Sequence, residues 1–258
     1  GNAAAVGLQA RPFAEDLVQS DNATGEGTKL GLTTDWSMAP NGLSWTYTLK
    51  EDVPFHFGYG EFTAKDVVHS LLRLTNPEAL STQGNLYKAL LGETDEEITE
   101  SIDIAGDHEL TFNFLAPGLG FLDMTRNLDG NTYIYSKDQY DEVGQVEMEA
   151  YVDNGLRIAG TGPFEFVEQK IQEHILYDAL DEHHRQTADF DELEFIWVAE
   201  ASTRLAMLLT GQADIALIDR DQYPTARAGG MEIVSCTRCG VGQYFLWYNW
   251  DDEEFSDG

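Results

Sequence analysis

The chain has 258 residues, enough to bury a sizeable core in one or two domains. Its 46 acidic residues against 15 basic ones leave a formal net charge of −31, which argues against nucleic acid as a partner because phosphate binding needs clustered Lys and Arg. No apolar run is long enough to cross a bilayer as a helix.

The acid is spread along the chain and is not gathered into a tail, so it reads as a surface property. Such a surface keeps the protein soluble and repels itself at low salt, the pattern expected of a saline habitat; an ordinary acidic secreted protein is the alternative. Self-repulsion is screened only in part at physiological ionic strength, where the Debye length is about 8 Å. The melting temperature is therefore expected to rise between low salt and molar KCl. A flat or falling melting temperature would contradict haloadaptation.

In chain order, RPFAEDLVQ (residues 11–19) predicts a short helix, and the polar, glycine-containing residues 20–27 a turn or linker. Trp45, Tyr47 and Leu49 alternate with Ser44, Thr46 and Thr48, the period of a half-buried strand. Thr63 opens a T-x-x-D capping pattern with Asp66, and Val67, Val68, Leu71, Leu72 and Leu74 continue at helical spacing. A second helix is predicted over residues 85–91 and a strand through Leu110, Phe112 and Phe114. Residues 138–152 predict a helix broken at Gly144. Beyond Gly160 the pattern changes to strands at residues 164–167 and 174–177, then a buried strand at 193–198. Ser202 is placed to cap a helix ending at Gly211, and residues 214–218 predict a further apolar strand, together a parallel strand-helix-strand unit. Read as a strand, residues 242–250 place Tyr244, Leu246 and Tyr248 on one face and Phe245, Trp247 and Asn249 on the other.

Several residues carry candidate chemistry. In Gly160-Thr161-Gly162-Pro163 the glycines permit close backbone approach, so the segment serves either as a cleft wall or as a crossover turn. It has no Lys and no following helix, so it is not a P-loop. Tyr87, Tyr244, Trp247, Tyr248 and Trp250 offer the amphipathic surfaces that line ligand clefts, with Tyr248 and Trp250 the first choices. A lone His56 in Phe55-His56-Phe57-Gly58 reads as a structural hydrogen-bonder. Asp181-Glu182-His183-His184 offers adjacent metal-ligand types that are ordinarily just solvated, so no metal and no cofactor is expected. Cys236-Thr237-Arg238-Cys239 is half of a zinc site at most; a local disulfide or a pair of inert thiols is the expectation. No G-x-S-x-G elbow or H-E-x-x-H occurs, and no enzymatic activity is expected.

Residues 36–74 carry a strand, an FHFG loop and an FTAKDVVHSLLR helix in that order. They resemble the family 5 extracellular solute-binding proteins of ABC importers, whose pattern runs through F-H-D-G to F-T-A-x-D-V. Phe57 stands where that pattern has Asp, and the loop after it is one residue longer. The resemblance recurs in IAGDHELTFNFL and YIYSKDQY, in GTGPFEF (160–166), in RLAMLLTGQADIALI (204–218) and in YFLWYN (244–249). It implies an α/β, periplasmic-binding-protein-like (type II, Venus-flytrap) lobe of residues 1–20 and 158–258, with an inserted mixed α/β domain at residues 21–157. It also implies an internal fragment that lacks the first strand and the third domain. It places Arg126 at a cleft, where a lone cation in an acidic chain can take a ligand carboxylate; an ion pair with Asp123 or Asp129 is the alternative. The candidate solute site is thus Arg126, Tyr87, Thr161, Gly162, Tyr248, Asn249 and Trp250. The implied function is capture of a small solute, peptide first, by a monomer in the periplasm or outside the cell, with or without a lipid anchor, and delivery to ABC permease subunits in the membrane. The alternatives are the sensing domain of a cytosolic transcription regulator and a hydrolase.

Overall fold

The computed structural model describes residues 10–21, 26–28, 31–79, 81, 83–126, 132–151 and 155–234. The chain divides into two compact units, Gly1–Trp197 and Val198–Gly258.

The larger part of the first unit is built on a four-stranded antiparallel sheet. A two-stranded ribbon, β1 (Gln19–Ser20) with β2 (Gly27–Thr28), precedes it. The sheet itself contains β3 (Thr33–Met38), β4 (Ser44–Leu49), β5 (Ile102–Gly106) and β6 (Glu109–Asn113) in the order β3-β4-β6-β5. The alternation read at Trp45, Tyr47 and Leu49 is the buried face of β4, and its register sets Trp45 opposite Phe112 and Tyr47 opposite Leu110. Two polar ends in this core are satisfied: Trp45 Nε1 donates to the Gly118 carbonyl at 3.0 Å, and the Tyr47 hydroxyl meets Thr125 Oγ1 at 3.1 Å.

Helix α1 (Ala64–Thr75) starts where the capping pattern places it. The Asp66 carboxylate accepts from the Thr63 amide at 2.9 Å and, through its other oxygen, from the Lys137 amide at 2.9 Å. Helices α2 (Gly84–Leu91), α3 (Asp95–Glu100) and α4 (Phe121–Met124) complete this core, in which Phe121 packs on Tyr47, Tyr87, Phe112 and Phe114. Helices α5 (Lys137–Val143) and α6 (Gln145–Glu149) meet at Gly144, whose φ of 87° favours glycine there.

A second core lies over a three-stranded antiparallel sheet of β7 (Phe164–Lys170), β8 (His174–Ala179) and β9 (Glu192–Ile196). Phe13, Tyr133, Phe164, Phe166, Ile175 and Tyr177 fill it, with the Phe13 and Tyr177 rings stacked at 6.2 Å. The strand expected at 193–198 forms, but it is an edge strand. Leu193 and Phe195 pack inward, whereas Trp197 just beyond it is 64% exposed.

In the second unit α7 (Ala201–Thr210) has Glu200 at its N-cap position, two residues before Ser202, and ends at Gly211 with φ 71°. The expected strand at 214–218 is not formed. Arg204 takes the Leu217 carbonyl at 2.6 Å, and Ile215 and Leu217 are 91% and 79% exposed. Every sheet among the described residues is antiparallel, so the parallel crossover is not among them either. A short helix α8 (Tyr223–Ala228) follows. No helix among the described residues is long and apolar enough to cross a membrane.

Candidate functional site

The residues that join the two cores of the first unit also pair with the candidate residues Arg126 and Gly162. The expected helix at residues 11–19 reduces to one turn, closed by the Ala14 amide on the Ala10 carbonyl at 2.9 Å, and the chain then extends. Tertiary pairing outweighs the local helical pattern because the backbone groups find partners on both sides. On one side Gly162 N donates to Phe13 O at 2.9 Å and Phe164 N to Pro12 O at 3.1 Å. On the other, Ile134 N donates to Glu15 O at 3.0 Å and Val18 N to Thr125 O at 3.1 Å, with bridges Asp16–Tyr133 and Val18–Arg126. Residues 12–18 are thus threaded between residues 160–164 on one side and residues 125–126 and 133–134 on the other.

The glycines of the Gly160–Pro163 turn are required by this threading. A Cβ on Gly160 would stand 1.9 Å from the Phe13 carbonyl oxygen, and one on Gly162 would stand 2.5 Å from that of Pro12. His56 grips the same turn. Its amide donates to Gly160 O at 3.0 Å, its Nε2 donates to Gly162 O at 2.8 Å and its Nδ1 accepts from the Gly160 amide at 3.3 Å. Burial lowers the His56 imidazole to about 4, against the Gly162 carbonyl, which favours the charged ring. A neutral ring protonated on Nε2 satisfies all of these bonds. The expected structural role for His56 accords with this geometry. Phe57 beside it holds φ at 59°, with the Arg157 guanidinium 4.4 Å over its ring.

Thr161 is buried in the turn. Its carbonyl accepts from His183 Nε2 at 2.9 Å, and its hydroxyl has no hydrogen-bond partner among the described residues. His183 and His184 were expected on a solvated loop, and the structure reverses that: their side chains are only 2% and 6% exposed, because the loop folds onto Glu15. Glu15 Oε2 accepts from His184 Nε2 at 2.7 Å, Arg185 Nη2 stands 3.3 Å from Oε1, and Lys50 Nζ donates to His184 Nδ1 at 2.9 Å. Burial by itself would raise the Glu15 carboxyl. The hydrogen bond from His184 and the nearby Arg185 guanidinium hold it down at about 2. Its neighbour Asp16 behaves oppositely: burial raises it to about 7, with the Thr132 amide and Arg11 pulling down from outside hydrogen-bonding geometry.

Of the other candidates, Tyr87 is a core residue. Its hydroxyl donates to Met124 O at 2.8 Å and meets Thr132 Oγ1 at 2.6 Å, anchoring both ends of the stretch that carries Arg126. Arg126 is largely enclosed and pairs with the exposed Asp123 at 2.5 Å, one of the two ion pairs open to it from the sequence. Tyr248, Asn249, Trp250, Cys236 and Cys239 lie outside the described residues. Glu15 and Asp16 were not singled out in the sequence, and adjacent acids in a chain of 46 carry no signal of their own.

The chain superposes on type II periplasmic binding proteins. A periplasmic oligopeptide-binding protein from Borrelia burgdorferi matches with a TM-score of 0.71 at 18% identity, over 88% of this chain and 46% of that one. HbpA2 from Haemophilus parasuis matches with a TM-score of 0.70 at 21% identity, over 89% and 46%. The class is therefore a mixed α/β periplasmic-binding-protein fold of which this chain is part. Residues 28–257 match the bacterial extracellular solute-binding proteins, family 5 (middle part), and the chain belongs to that family. Its relatives include the oligopeptide-binding protein AppA of Bacillus subtilis, 25% identical over 230 residues, 89% of this chain and 40% of that protein. They also include the probable di/tripeptide-binding protein 5 of Pseudomonas aeruginosa, 30% identical over 212 residues, 78% and 39%. The heme-binding protein A of Haemophilus influenzae is 28% identical over 193 residues, 72% and 35%. The chain spans about 40% or less of the length of these relatives.

Proposed function

We propose that this chain belongs to the extracytoplasmic solute-binding component of an ABC importer, which captures a peptide or a related small solute between two lobes and delivers it to membrane permease subunits. Membership of the family across residues 28–257 carries the reading, and the peptide-binding relatives favour peptides. The protein acts as a monomer in the periplasm or outside the cell. Residues 1–20 with 158–258 form one lobe and residues 21–157 the other. The threading of residues 12–18 between residues 125–126 and 133–134 on one side and 160–164 on the other supports that division, since a few backbone crossings between two cores are what a hinge requires. Thr161 and Gly162 in the clasped turn, and Arg126 at the neighbouring crossing, are the proposed solute contacts from the described residues. Calorimetry of di- and tripeptides against the protein at its full natural length is expected to show saturable binding. Absence of binding across the panel would remove peptides as the substrate class.

Arg126 separates a solute contact from a surface ion pair. Truncating one partner of a desolvated charge pair costs about 2–5 kcal/mol of binding, whereas losing a pair with a half-exposed carboxylate such as Asp123 costs about 0–1 kcal/mol of stability. Arg126→Ala is expected to weaken a carboxylate-bearing solute by well over about tenfold with little change in melting temperature, and Arg126→Lys to rescue only part, because an ammonium lacks the planar fork. Unchanged affinity would return Arg126 to the ion-pair alternative.

A further inference from the structure

We infer that Glu15, His183 and His184 form a site for a borderline divalent transition-metal ion such as Zn²⁺ or Ni²⁺. One ligand atom from each residue lies within 4.8 Å of the other two, and all three side chains are nearly sealed from solvent, at 4%, 2% and 6% exposure. The two imidazoles converge on a single carboxylate oxygen: His184 Nε2 is 2.7 Å and His183 Nε2 3.8 Å from Glu15 Oε2. A metal held at about 2.0–2.2 Å from each atom requires ligand separations of about 3.4 Å in a tetrahedral site. The first distance must open by about 0.7 Å and the second close by about 0.4 Å. The Thr161 carbonyl, 2.9 Å from His183 Nε2, is a further oxygen at the edge of the cluster.

The donor set selects the metal class. Two imidazoles and one carboxylate suit zinc, nickel, cobalt or copper, whereas magnesium and calcium take oxygen ligands. The backbone holds the ligands from both sides: Glu15 through the Ile134 amide on its carbonyl, and the histidine loop through the Leu180 amide on Pro163 O at 3.0 Å. The carboxylate is also divided in function, with Arg185 on Oε1 and the rings on Oε2. Without metal the same atoms make a hydrogen-bonded chain from Lys50 through His184 to Glu15, so the ion must displace the Nε2 proton of each ring. Lys50 has the His184 carbonyl, 3.3 Å away, to turn to when Nδ1 takes up a proton. That competition makes the site weaker than a dedicated zinc centre but leaves its ligand identity intact.

The test uses chelator-stripped protein titrated with Zn²⁺, Ni²⁺ and Mg²⁺ by calorimetry and thermal melts, in a Cys236→Ser/Cys239→Ser background, so that the C-x-x-C thiols contribute nothing. One equivalent of Zn²⁺ or Ni²⁺ is expected to bind and raise the melting temperature, and Mg²⁺ to do neither. His183→Ala and His184→Ala should each weaken binding by about 100-fold or more. His174→Ala, which removes a histidine set between Glu168 and Glu194 on the surface, should leave it unchanged. Should the histidine variants fail to fold, Cu²⁺ electron paramagnetic resonance on the otherwise unaltered protein decides, since two imidazoles give a characteristic nitrogen hyperfine pattern. No binding tighter than about 1 mM, binding lost only in His174→Ala, or a copper spectrum without two nitrogens overturns the site, leaving the hydrogen-bonded chain as the sole role of these residues.

Discussion

Gly160→Ala is expected to abolish or nearly abolish folding. Its Cβ would lie 1.9 Å from the Phe13 carbonyl oxygen and 2.8 Å from the Phe13 carbonyl carbon, so backbone, not a flexible side chain, has to move. Moving it breaks the pairing that threads residues 12–18: the Gly162–Phe13 and Phe164–Pro12 bonds and the bond from the His56 amide to Gly160. Overpacking alone costs about 1–3 kcal/mol, and the loss of buried hydrogen bonds takes the total to the order of 4–5 kcal/mol, a large part of a typical domain's stability. Urea denaturation measures it. Gly106→Ala is the control, because nothing lies within 4 Å of the added Cβ, and it should fall within about 0.5 kcal/mol of the parent. Equal midpoints for the two variants would mean that the turn and residues 12–13 are not packed backbone on backbone.

The second large effect is a pH dependence from His56. Its imidazole titrates near 4 in the folded protein against an unfolded value of 6.5, so between these pH values the unfolded chain binds the additional proton. Stability is therefore full above about pH 6.5 and is lost as pH falls towards 4, by about 3 kcal/mol at 1.36 kcal/mol per unit. His56→Gln keeps an amide to donate to Gly162 O and cannot titrate. At pH 7.5 the variant should be less stable by about 1–2 kcal/mol for its imperfect replacement of the bonds to Gly160 and Gly162. Towards pH 4 the two stability curves should cross, since only the parent must hold a neutral imidazole. Parallel curves over this range would show that His56 is not buried and neutral as the turn requires.

Local pattern made much of the fold legible. The alternation at Trp45, Tyr47 and Leu49, the Thr63–Asp66 cap and the Gly144 break each appear where short-range chemistry places them, because each depends on neighbours within a turn or a strand. Family membership was legible for the same reason, as ordered short motifs. What failed depended on distant partners. Residues 11–19 have the spacing of a helix, yet their amides and carbonyls find partners at Thr125, Ile134, Gly162 and Phe164. Residues 214–218 read as a strand, but a strand is defined by its neighbour, and here a carbonyl of the segment is held by Arg204.

The same division holds for the site. Composition and motif order were sufficient to establish an acidic chain of the family 5 solute-binding type, and the two glycines of the Gly160–Pro163 turn permitted a close backbone approach. They did not show whether the turn lines a cleft or packs on another segment. Only the tertiary structure brings Phe13 against that turn, seats His56 on it and folds His183 and His184 onto Glu15, 168 and 169 positions away. Burial decides the chemistry of these groups, raising Asp16 and neutralising His56 while a ring of donors keeps Glu15 charged. Burial is a property of what packs around a residue, and residue type and spacing record only what lies beside it in the chain.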